Sequence, residues 1–145
     1  RGAALERNRA AALSMVPTST SAAVLIDKIL PDLAGRVKGC AVRVPTANVS
    51  MVDLVIEAKK ATTVEAVNAA MIKAAEKGPM KGILTVNSAP LVSSDFNHDP
   101  ASSVFDLTQT QVTDGRMVRI LSWYDNEWGF SNRMSDTAVQ MGRLV

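Results

Sequence analysis

A predicted strand that runs directly into a predicted helix, over residues 116–145, constrains the fold of this chain more than any other stretch. Residues 116–123 (RMVRILSW) are rich in β-branched and large apolar side chains, which is typical of a half-buried strand. Asp125 is suited to cap the helix that follows. Apolar residues then recur every three or four positions on one face of that helix: Phe130, Met134, Ala138, Met141 and Val145. Ligand contacts commonly lie where a strand meets a helix, so this junction is a candidate site.

The rest of the pattern predicts an α+β fold. Residues 22–30 and 62–77 predict helices, the second with the capping-box spacing of Thr62 and Glu65. Its buried stripe is predicted to comprise Val64, Val67, Met71 and Ala74. Further strands are predicted at residues 39–44, 50–58, 82–86, 91–95 and 104–106.

Alternation along residues 50–58 places four side chains on the predicted core side of that strand: Val52, Leu54, Ile56 and Ala58. Asp114 and Gly115 are a hairpin-turn signal ahead of the last strand. We therefore expect one domain over residues 1–145, with a mixed, largely antiparallel sheet and helices on one face.

Composition excludes several classes of protein. The chain has 145 residues and a net charge of +2, and it has no basic stripe of the kind that binds nucleic acid. No apolar run approaches the roughly 18 residues that a membrane helix requires. The single cysteine, Cys40, favours a reducing, cytoplasmic setting. The chain begins with Arg1 and in mid-pattern, so we expect it to be a fragment of a longer protein.

Cys40 and His98 do not make a convincing catalytic pair or zinc site. We predict that Cys40 lies mid-strand as a small hydrophobe. His98 lies in a polar loop, residues 97–100 (NHDP), that is typical of turn chemistry. One cysteine and one histidine are too few for zinc, and no glycine-rich phosphate loop follows a strand. The residues alone indicate no metal site, no catalytic group and no Rossmann site.

Two features are suited to an anion. Hydroxyl side chains, Thr20 among them, precede the helix predicted at residues 22–30, where they either cap it or help its free amides to hold a phosphate. Capping is the more common role. Arg43 lies in a predicted apolar strand and requires an anionic partner. That partner is either a carboxylate of the fold or a ligand phosphate.

Five blocks of the sequence resemble the glyceraldehyde-3-phosphate dehydrogenase family and the related erythrose-4-phosphate dehydrogenases. They occur in the family's order: residues 5–20 (LERNRAAALSMVPTST), 41–54 (AVRVPTANVSMVDL), 81–84 (KGIL), 91–96 (LVSSDF) and 123–129 (WYDNEWG). The resemblance covers almost the whole chain. It implies the family's C-terminal domain, without the start of that domain and without the NAD-binding Rossmann domain.

The resemblance assigns roles to four residues. It implies that Thr20 and Arg43 bind substrate and inorganic phosphate, that Arg7 is a second phosphate-site arginine, and that Asn126 orients the nicotinamide carboxamide of NAD. The family's catalytic cysteine and histidine would precede Arg1, so no catalytic residue is expected in this chain. The implied partners are a small phosphorylated aldehyde, inorganic phosphate and further copies of the chain in a tetramer.

Three positions depart from the family pattern. Ser21 replaces the glycine that usually ends the hydroxyl-rich turn, and a side chain there restricts how closely the backbone approaches a phosphate. Glu6 replaces an arginine, which weakens the local positive field. Phe130 replaces a tyrosine found in many members and so removes a hydroxyl group.

The resemblance implies a glycolytic, NAD-dependent, phosphorylating glyceraldehyde-3-phosphate dehydrogenase whose isolated C-terminal chain is inactive. Erythrose-4-phosphate dehydrogenase is the alternative, because it shares the type of loop at residues 97–100 and Phe130, whereas Tyr124 favours the glyceraldehyde enzyme. A third hypothesis is a non-catalytic oligomerisation or binding module that keeps the sheet but has no active site.

Overall fold

The computed structural model describes residues 9–144, which divide along the chain into two compact units, with the boundary between Ala47 and Asn48. The first unit contains strand β1 (Val16–Thr18), helix α1 (Ala22–Ile29) and strand β2 (Ala41–Arg43). β1 and β2 pair antiparallel, with Val16 opposite Arg43. The predicted helix is confirmed, and it ends before a short 3-10 turn at Pro31–Leu33. Proline opens that turn because it lacks the amide hydrogen that a continuing helix would need.

The predicted environment of Cys40 is wrong. Cys40 precedes β2 and is exposed, because the ladder begins only at Ala41. It is therefore not a small hydrophobe packed in the middle of a strand.

The second unit is built on a five-stranded sheet. Its strands are β3 (Ser50–Glu57), β4 (Leu84–Asn87), β5 (Ser103–Asp106), β6 (Gln111–Thr113) and β7 (Met117–Tyr124). The order is β3-β7-β5-β4, and β6 also pairs with β7. All pairs are antiparallel except β4–β5. Two helices complete the unit, α2 (Val64–Glu76) and α3 (Asn126–Gly142), so the predicted α+β fold with a mixed, largely antiparallel sheet is confirmed.

β7 organises the sheet. All eight of its residues pair with β3 on one side, from Ser50 opposite Tyr124 to Glu57 opposite Met117. On the other side, β6 covers the first half of β7 and β5 covers part of the second half. The predicted hairpin turn joins β6 to β7, and its two central residues have positive φ angles, 50° at Asp114 and 67° at Gly115. The pattern is that of a type I′ turn, whose twist matches that of the strands.

Helix α2 begins one residue later than the capping-box spacing predicts. The cap is Thr63, whose Oγ1 accepts a hydrogen bond of 3.2 Å from the amide of Ala66. Thr62 does not cap the helix, because its amide donates to the carbonyl of Gly115 in an extended connection. The predicted apolar stripe of α2 is half-buried, and the helix packs against β4.

Two predictions for strands are wrong. Residues 91–95 do not form a strand, because the carboxylate of Asp95 accepts from the amide of Val92 and supports a 3-10 turn at Ser93–Phe96. The predicted core side of β3 is exposed, at 46% for Val52, 36% for Leu54 and 43% for Ile56. The sheet is instead covered on both faces at β5 and β7, where the most buried apolar side chains are Val104, Phe105, Val118 and Leu121.

Helix α3 contacts the rest of its unit through a narrow stripe. Gly129 is buried, and a Cβ added there would lie 3.0 Å from the carbonyl oxygen of Ala101. One turn later, Arg133 donates to the carbonyl of Gly82 and pairs with Asp136. The apolar face predicted for this helix is exposed at Phe130, Met134 and Met141, and Val145 lies outside the described residues.

Candidate functional site

The junction between β7 and α3 is held by the carboxylate of Asp125. This side chain is 2% exposed. Its Oδ1 atom accepts hydrogen bonds from the amides of Glu127 at 3.1 Å and Trp128 at 2.9 Å, which caps the helix as the sequence predicts. Its Oδ2 atom accepts from the amide of His98 and from Nδ2 of Asn48, both at 2.9 Å. Each carboxylate oxygen therefore binds two donors.

These contacts determine the ionisation of Asp125. Burial removes the carboxylate from water and raises its pKa, but the hydrogen bonds from Trp128, His98, Asn48 and Glu127 together outweigh that effect. The net result is a pKa below the ordinary value of 3.8. Because hydrogen bonds donated to a carboxylate stabilise its charged form, Asp125 is a fixed negative charge at neutral pH.

The loop at residues 97–98 closes over the same carboxylate. The side-chain oxygen of Asn97 accepts from Nδ2 of Asn48. His98 has a φ angle of 63° and directs its amide to Asp125. Its imidazole lies against the indole of Trp128, with ring centroids 4.7 Å apart. The predicted role of this loop in turn chemistry is confirmed, and His98 has no nucleophilic partner within the described structure.

Asn126 is the first residue of α3 and is exposed. Its side-chain amide makes no hydrogen bond to any residue in the described range 9–144, so both its donor and its acceptor are available. Its backbone lies between Asp125 and the two amides that Asp125 holds. A free amide on a fixed backbone is suited to bind a planar group that has both a donor and an acceptor.

A second buried carboxylate has a purely structural environment. Asp106, at the end of β5, is 2% exposed. Its Oδ1 accepts from the amide and the hydroxyl of Thr108, and its Oδ2 accepts from Nε1 of Trp123 at 3.0 Å. These bonds join β5 to β7 and leave no oxygen of Asp106 directed at a ligand.

The first unit contains two of the predicted phosphate-binding residues. Thr20 Oγ1 accepts a hydrogen bond of 3.1 Å from the amide of Ala22 at the start of α1, whereas Ser21 makes no capping bond through its side chain. Arg43 is exposed, and none of the ion pairs of the described residues involves it. Among those residues, the structure therefore provides no carboxylate partner for this guanidinium.

The register of the two-stranded sheet separates these residues along the ladder. Arg43 pairs with Val16, whereas Thr20 follows Thr18, which pairs with Ala41 at the other end. Arg7, the third predicted phosphate ligand, lies outside the described residues.

Sequence reasoning found Asp125 and Asn126 but missed the residues that support them. Asn97 was predicted only as part of a polar loop and Asn48 was not singled out, although both belong to the network around Asp125. No local signal could have found them, because Asn48 and Asp125 are 77 positions apart.

The described residues offer neither a metal site nor a membrane span. Between residues 9 and 144, no group of three or more histidine, cysteine, aspartate or glutamate side chains is arranged to hold a metal ion. Over the same residues, no helix combines the length and the apolar character needed to cross a bilayer.

Comparison with known proteins gives one consistent result. Residues 2–126 match the family model described as "Glyceraldehyde 3-phosphate dehydrogenase, C-terminal domain". The chain is 67% identical over 141 residues to glyceraldehyde-3-phosphate dehydrogenase of Cereibacter sphaeroides, covering 97% of this chain and 42% of the relative. It is 59% identical over 140 residues to the enzyme of Xanthobacter flavus, with 97% and 42% covered. The enzyme of Geobacillus stearothermophilus is 54% identical over 135 residues, with 93% and 40% covered. The chain thus spans about two fifths of the length of these relatives.

Proposed function

The chain belongs to the glyceraldehyde-3-phosphate dehydrogenase family, as its C-terminal domain, and we propose that it serves an NAD-dependent, phosphorylating oxidation of glyceraldehyde 3-phosphate in glycolysis. The observation that carries the proposal is the high identity to curated dehydrogenases over nearly the whole chain. In this proposal the chain forms one domain of a cytoplasmic enzyme. It supplies phosphate binding and cofactor orientation, and the catalytic cysteine and histidine belong to another part of that enzyme.

Asn126 fits the role of binding the nicotinamide carboxamide. A carboxamide has an NH₂ donor and a carbonyl acceptor, and the Asn126 amide offers the complementary pair. Its exposure and its lack of hydrogen bonds to described residues support this role. When bound, NAD accepts the hydride of the oxidation. The contribution of Asn126 is to fix the orientation of the ring, which favours reaction by proximity.

Arg43 and Thr20 fit the role of binding phosphate groups, together with Arg7. A guanidinium binds a phosphate through two parallel hydrogen bonds, and the Arg43 side chain is exposed and free of ion pairs among the described residues. Thr20 lies at the N-terminus of α1, where free amides and the helix dipole favour an anion. A substrate phosphate and an attacking inorganic phosphate would then both be held by this chain.

The exposed apolar residues of β3 support a role in assembly of a homotetramer. Five of its eight side chains are large, apolar and at least 36% exposed: Met51, Val52, Leu54, Val55 and Ile56. This much exposed apolar surface is typical of a site where proteins associate. We propose that β3 belongs to the surface through which copies of the protein associate.

The proposal is tested with a protein of the relatives' full length that carries this domain. We expect formation of NADH from glyceraldehyde 3-phosphate that depends on inorganic phosphate. Arg43→Ala should lower kcat/KM about 10- to 100-fold, through the KM for substrate or phosphate, because charge-assisted hydrogen bonds are lost. Arg36→Ala is the matched control, since Arg36 is also exposed and lies in the same unit. Equal kinetics for the two variants would contradict the assignment of Arg43.

Two further measurements separate the alternative functions. The kcat/KM for glyceraldehyde 3-phosphate should exceed that for erythrose 4-phosphate, because the curated relatives named above are glyceraldehyde-3-phosphate dehydrogenases. The reverse order would favour the erythrose enzyme. The 145-residue chain alone should produce no NADH. If the full-length protein forms a defined oligomer but does not bind NAD, the hypothesis of a non-catalytic module would be favoured.

A further inference from the structure

We propose that Asp125 is a positioning residue for the nicotinamide contact: its buried carboxylate joins the start of α3 to the loop at residues 97–98 and to Asn48, and thereby fixes the backbone from which the Asn126 amide projects. This inference rests on the proposed role of Asn126. It adds a residue that acts through its neighbour and does not itself contact the cofactor.

The arrangement of the four hydrogen bonds supports this role. Oδ1 of Asp125 binds two amides of the first turn of α3, and Oδ2 binds two donors that lie outside the helix. A helix cap alone needs only the Oδ1 half of this arrangement. The Oδ2 half ties the helix to His98 and to Asn48, so that the first turn is fixed against two other segments of the same unit.

The position of Asn126 depends on the hydrogen bonds of Asp125, because the Asn126 side chain makes none of its own to the described residues. Only the backbone on either side therefore sets the point from which the Asn126 amide projects. Asp125 precedes it directly, and the amides of Glu127 and Trp128, which follow it, are held by Oδ1. The indole of Trp128 is held in turn by the imidazole of His98. Release of Oδ2 would therefore loosen the turn that carries Asn126.

Asp125→Asn separates positioning from capping. Asparagine caps a helix about as well as aspartate, so Oδ1 keeps the amides of Glu127 and Trp128. At the position of Oδ2, however, an NH₂ group would face two other donors, the amide of His98 and Nδ2 of Asn48. The variant thus keeps the cap and breaks the link to the loop.

The readout is discrimination between two cofactors at equilibrium. Isothermal titration calorimetry on the full-length protein gives the Kd of NAD and of 3-acetylpyridine adenine dinucleotide, in which a methyl group replaces the carboxamide NH₂. The ratio of the two Kd values reports the contact to that NH₂ and not the overall stability. Asn126→Ala should reduce the preference for NAD about fivefold, as expected for one hydrogen bond between neutral groups. Asp125→Asn should reduce it by a similar factor.

Asp106→Asn is the matched control. Asp106 is as buried as Asp125, and its Oδ2 also accepts from a donor that an NH₂ group would oppose, the indole of Trp123. This variant should lose stability and keep the wild-type cofactor preference. An equal loss of preference in Asp106→Asn and Asp125→Asn would overturn the proposal, because the effect would then be general destabilisation.

The remaining outcomes distinguish the two proposals. A normal preference in Asp125→Asn beside a reduced preference in Asn126→Ala refutes positioning by Asp125 and leaves the role of Asn126 intact. A normal preference in Asn126→Ala refutes the assigned cofactor contact, and the positioning role is refuted with it.

Two variants of Asn48 keep the test decisive if Asp125→Asn does not fold. Asn48→Ala removes one donor from Oδ2 and should reduce the preference in part, whereas an unchanged preference would count against the proposal. The exchange Asn48→Asp with Asp125→Asn places a carboxylate opposite an amide again, and should recover part of the lost preference. Failure of this exchange in a folded protein would contradict the link through Oδ2.

Discussion

The side-chain amide of Asn48 donates a hydrogen bond of 2.9 Å to the carboxylate of Asp125. The two residues flank paired strands, since Ser50 opens β3 opposite Tyr124, the last residue of β7. Between Asn48 and Ser50 the chain turns at Val49, which has a φ angle of 70° and packs in the core with Phe96. A β-branched residue rarely adopts this conformation. The contact between Asn48 and Asp125 therefore adds one side-chain hydrogen bond past the end of the β3–β7 pairing. The unfavourable φ angle of Val49, which lies between this contact and β3, must be stabilised by its packing in the core.

Asp125 makes the stability of the protein depend on pH in the acid range. Its pKa in the folded state lies below the ordinary value of 3.8, so the folded state binds this proton less readily than the unfolded state. Its stabilising contribution is present above the unfolded pKa and is lost as the pH falls through the folded pKa. We expect the free energy of unfolding in urea to fall between about pH 5 and pH 2, more steeply in the wild type than in Asp125→Asn.

A second carboxylate contributes to the same pH range but does not confound the comparison. The hydrogen bond and charge of Arg119 lower the pKa of Asp53, and solvent screens this pair because the carboxylate side chain is 44% exposed. Asp53 is present in both proteins, so the difference between their pH profiles belongs to Asp125. Parallel profiles would show that the Asp125 carboxylate is not specifically stabilised by folding.

Thr63, and not Thr62, is expected to stabilise α2. Thr63→Ala removes the oxygen that accepts from the amide of Ala66 and should lower the free energy of unfolding by about 1 kcal/mol. Thr62→Ala is the control, because Thr62 contributes its backbone amide to Gly115 and that contact survives the substitution. Urea denaturation should show a change within about 0.5 kcal/mol for the control. The opposite order of the two variants would support the cap predicted from the capping-box spacing.

The β6–β7 turn should require glycine at position 115 because of its backbone conformation. A Cβ added to Gly115 would meet only the Cβ of Ala61, at an ordinary 3.8 Å, so there is no clash. The φ angle of 67° alone should cost Gly115→Ala about 1–2 kcal/mol of stability. Asp114→Gly is the informative comparison, since it relieves the same strain at a φ angle of 50° and should not destabilise the folded state by this mechanism. Thermal denaturation of both variants measures the contrast.

Two glycines of α3 should respond in opposite ways to alanine. At Gly129 the new Cβ would lie 3.0 Å from the carbonyl oxygen of Ala101, so overpacking of about 1–3 kcal/mol opposes a gain of about 1 kcal/mol in helix propensity. At Gly142 nothing lies within 4 Å, and the gain in propensity is unopposed. We expect a lower unfolding midpoint for Gly129→Ala than for Gly142→Ala. A more stable Gly129→Ala would mean that α3 moves away from Ala101 at little cost.

Local patterns were sufficient to predict the long elements of the fold. Strand-type composition predicted β7, an apolar run over residues 22–30 that stops at Pro31 predicted α1, and the Asp114–Gly115 signal predicted the turn that joins β6 to β7. Each of these signals acts within a few residues, as propensity, caps and turn chemistry do. The three residues of β6 were missed because a strand of that length shows no alternation.

Burial and the supporting network of the site could not be read from the sequence. Alternation along β3 indicates which side chains share a face, but it does not indicate whether anything covers that face, and Val52 and Ile56 are exposed. The cap at Asp125 was predicted from its position before a helix. The donors on its second oxygen come from Asn48 and from the backbone of His98, and such distant partners leave no periodic signal.

The pairing of β3 with β7 determines when β3 can dock during synthesis of the chain. Glu57, the last residue of β3, pairs with Met117, so ribosomes must add about 60 further residues before the partner strand begins. At about 5–20 residues per second, the apolar strand β3 waits for about 3–12 seconds without its neighbour. The β6–β7 hairpin, by contrast, closes within microseconds of its synthesis. During this interval the apolar strand β3 of a nascent chain is unpaired and exposed to aggregation, and a chaperone that binds it would protect the chain.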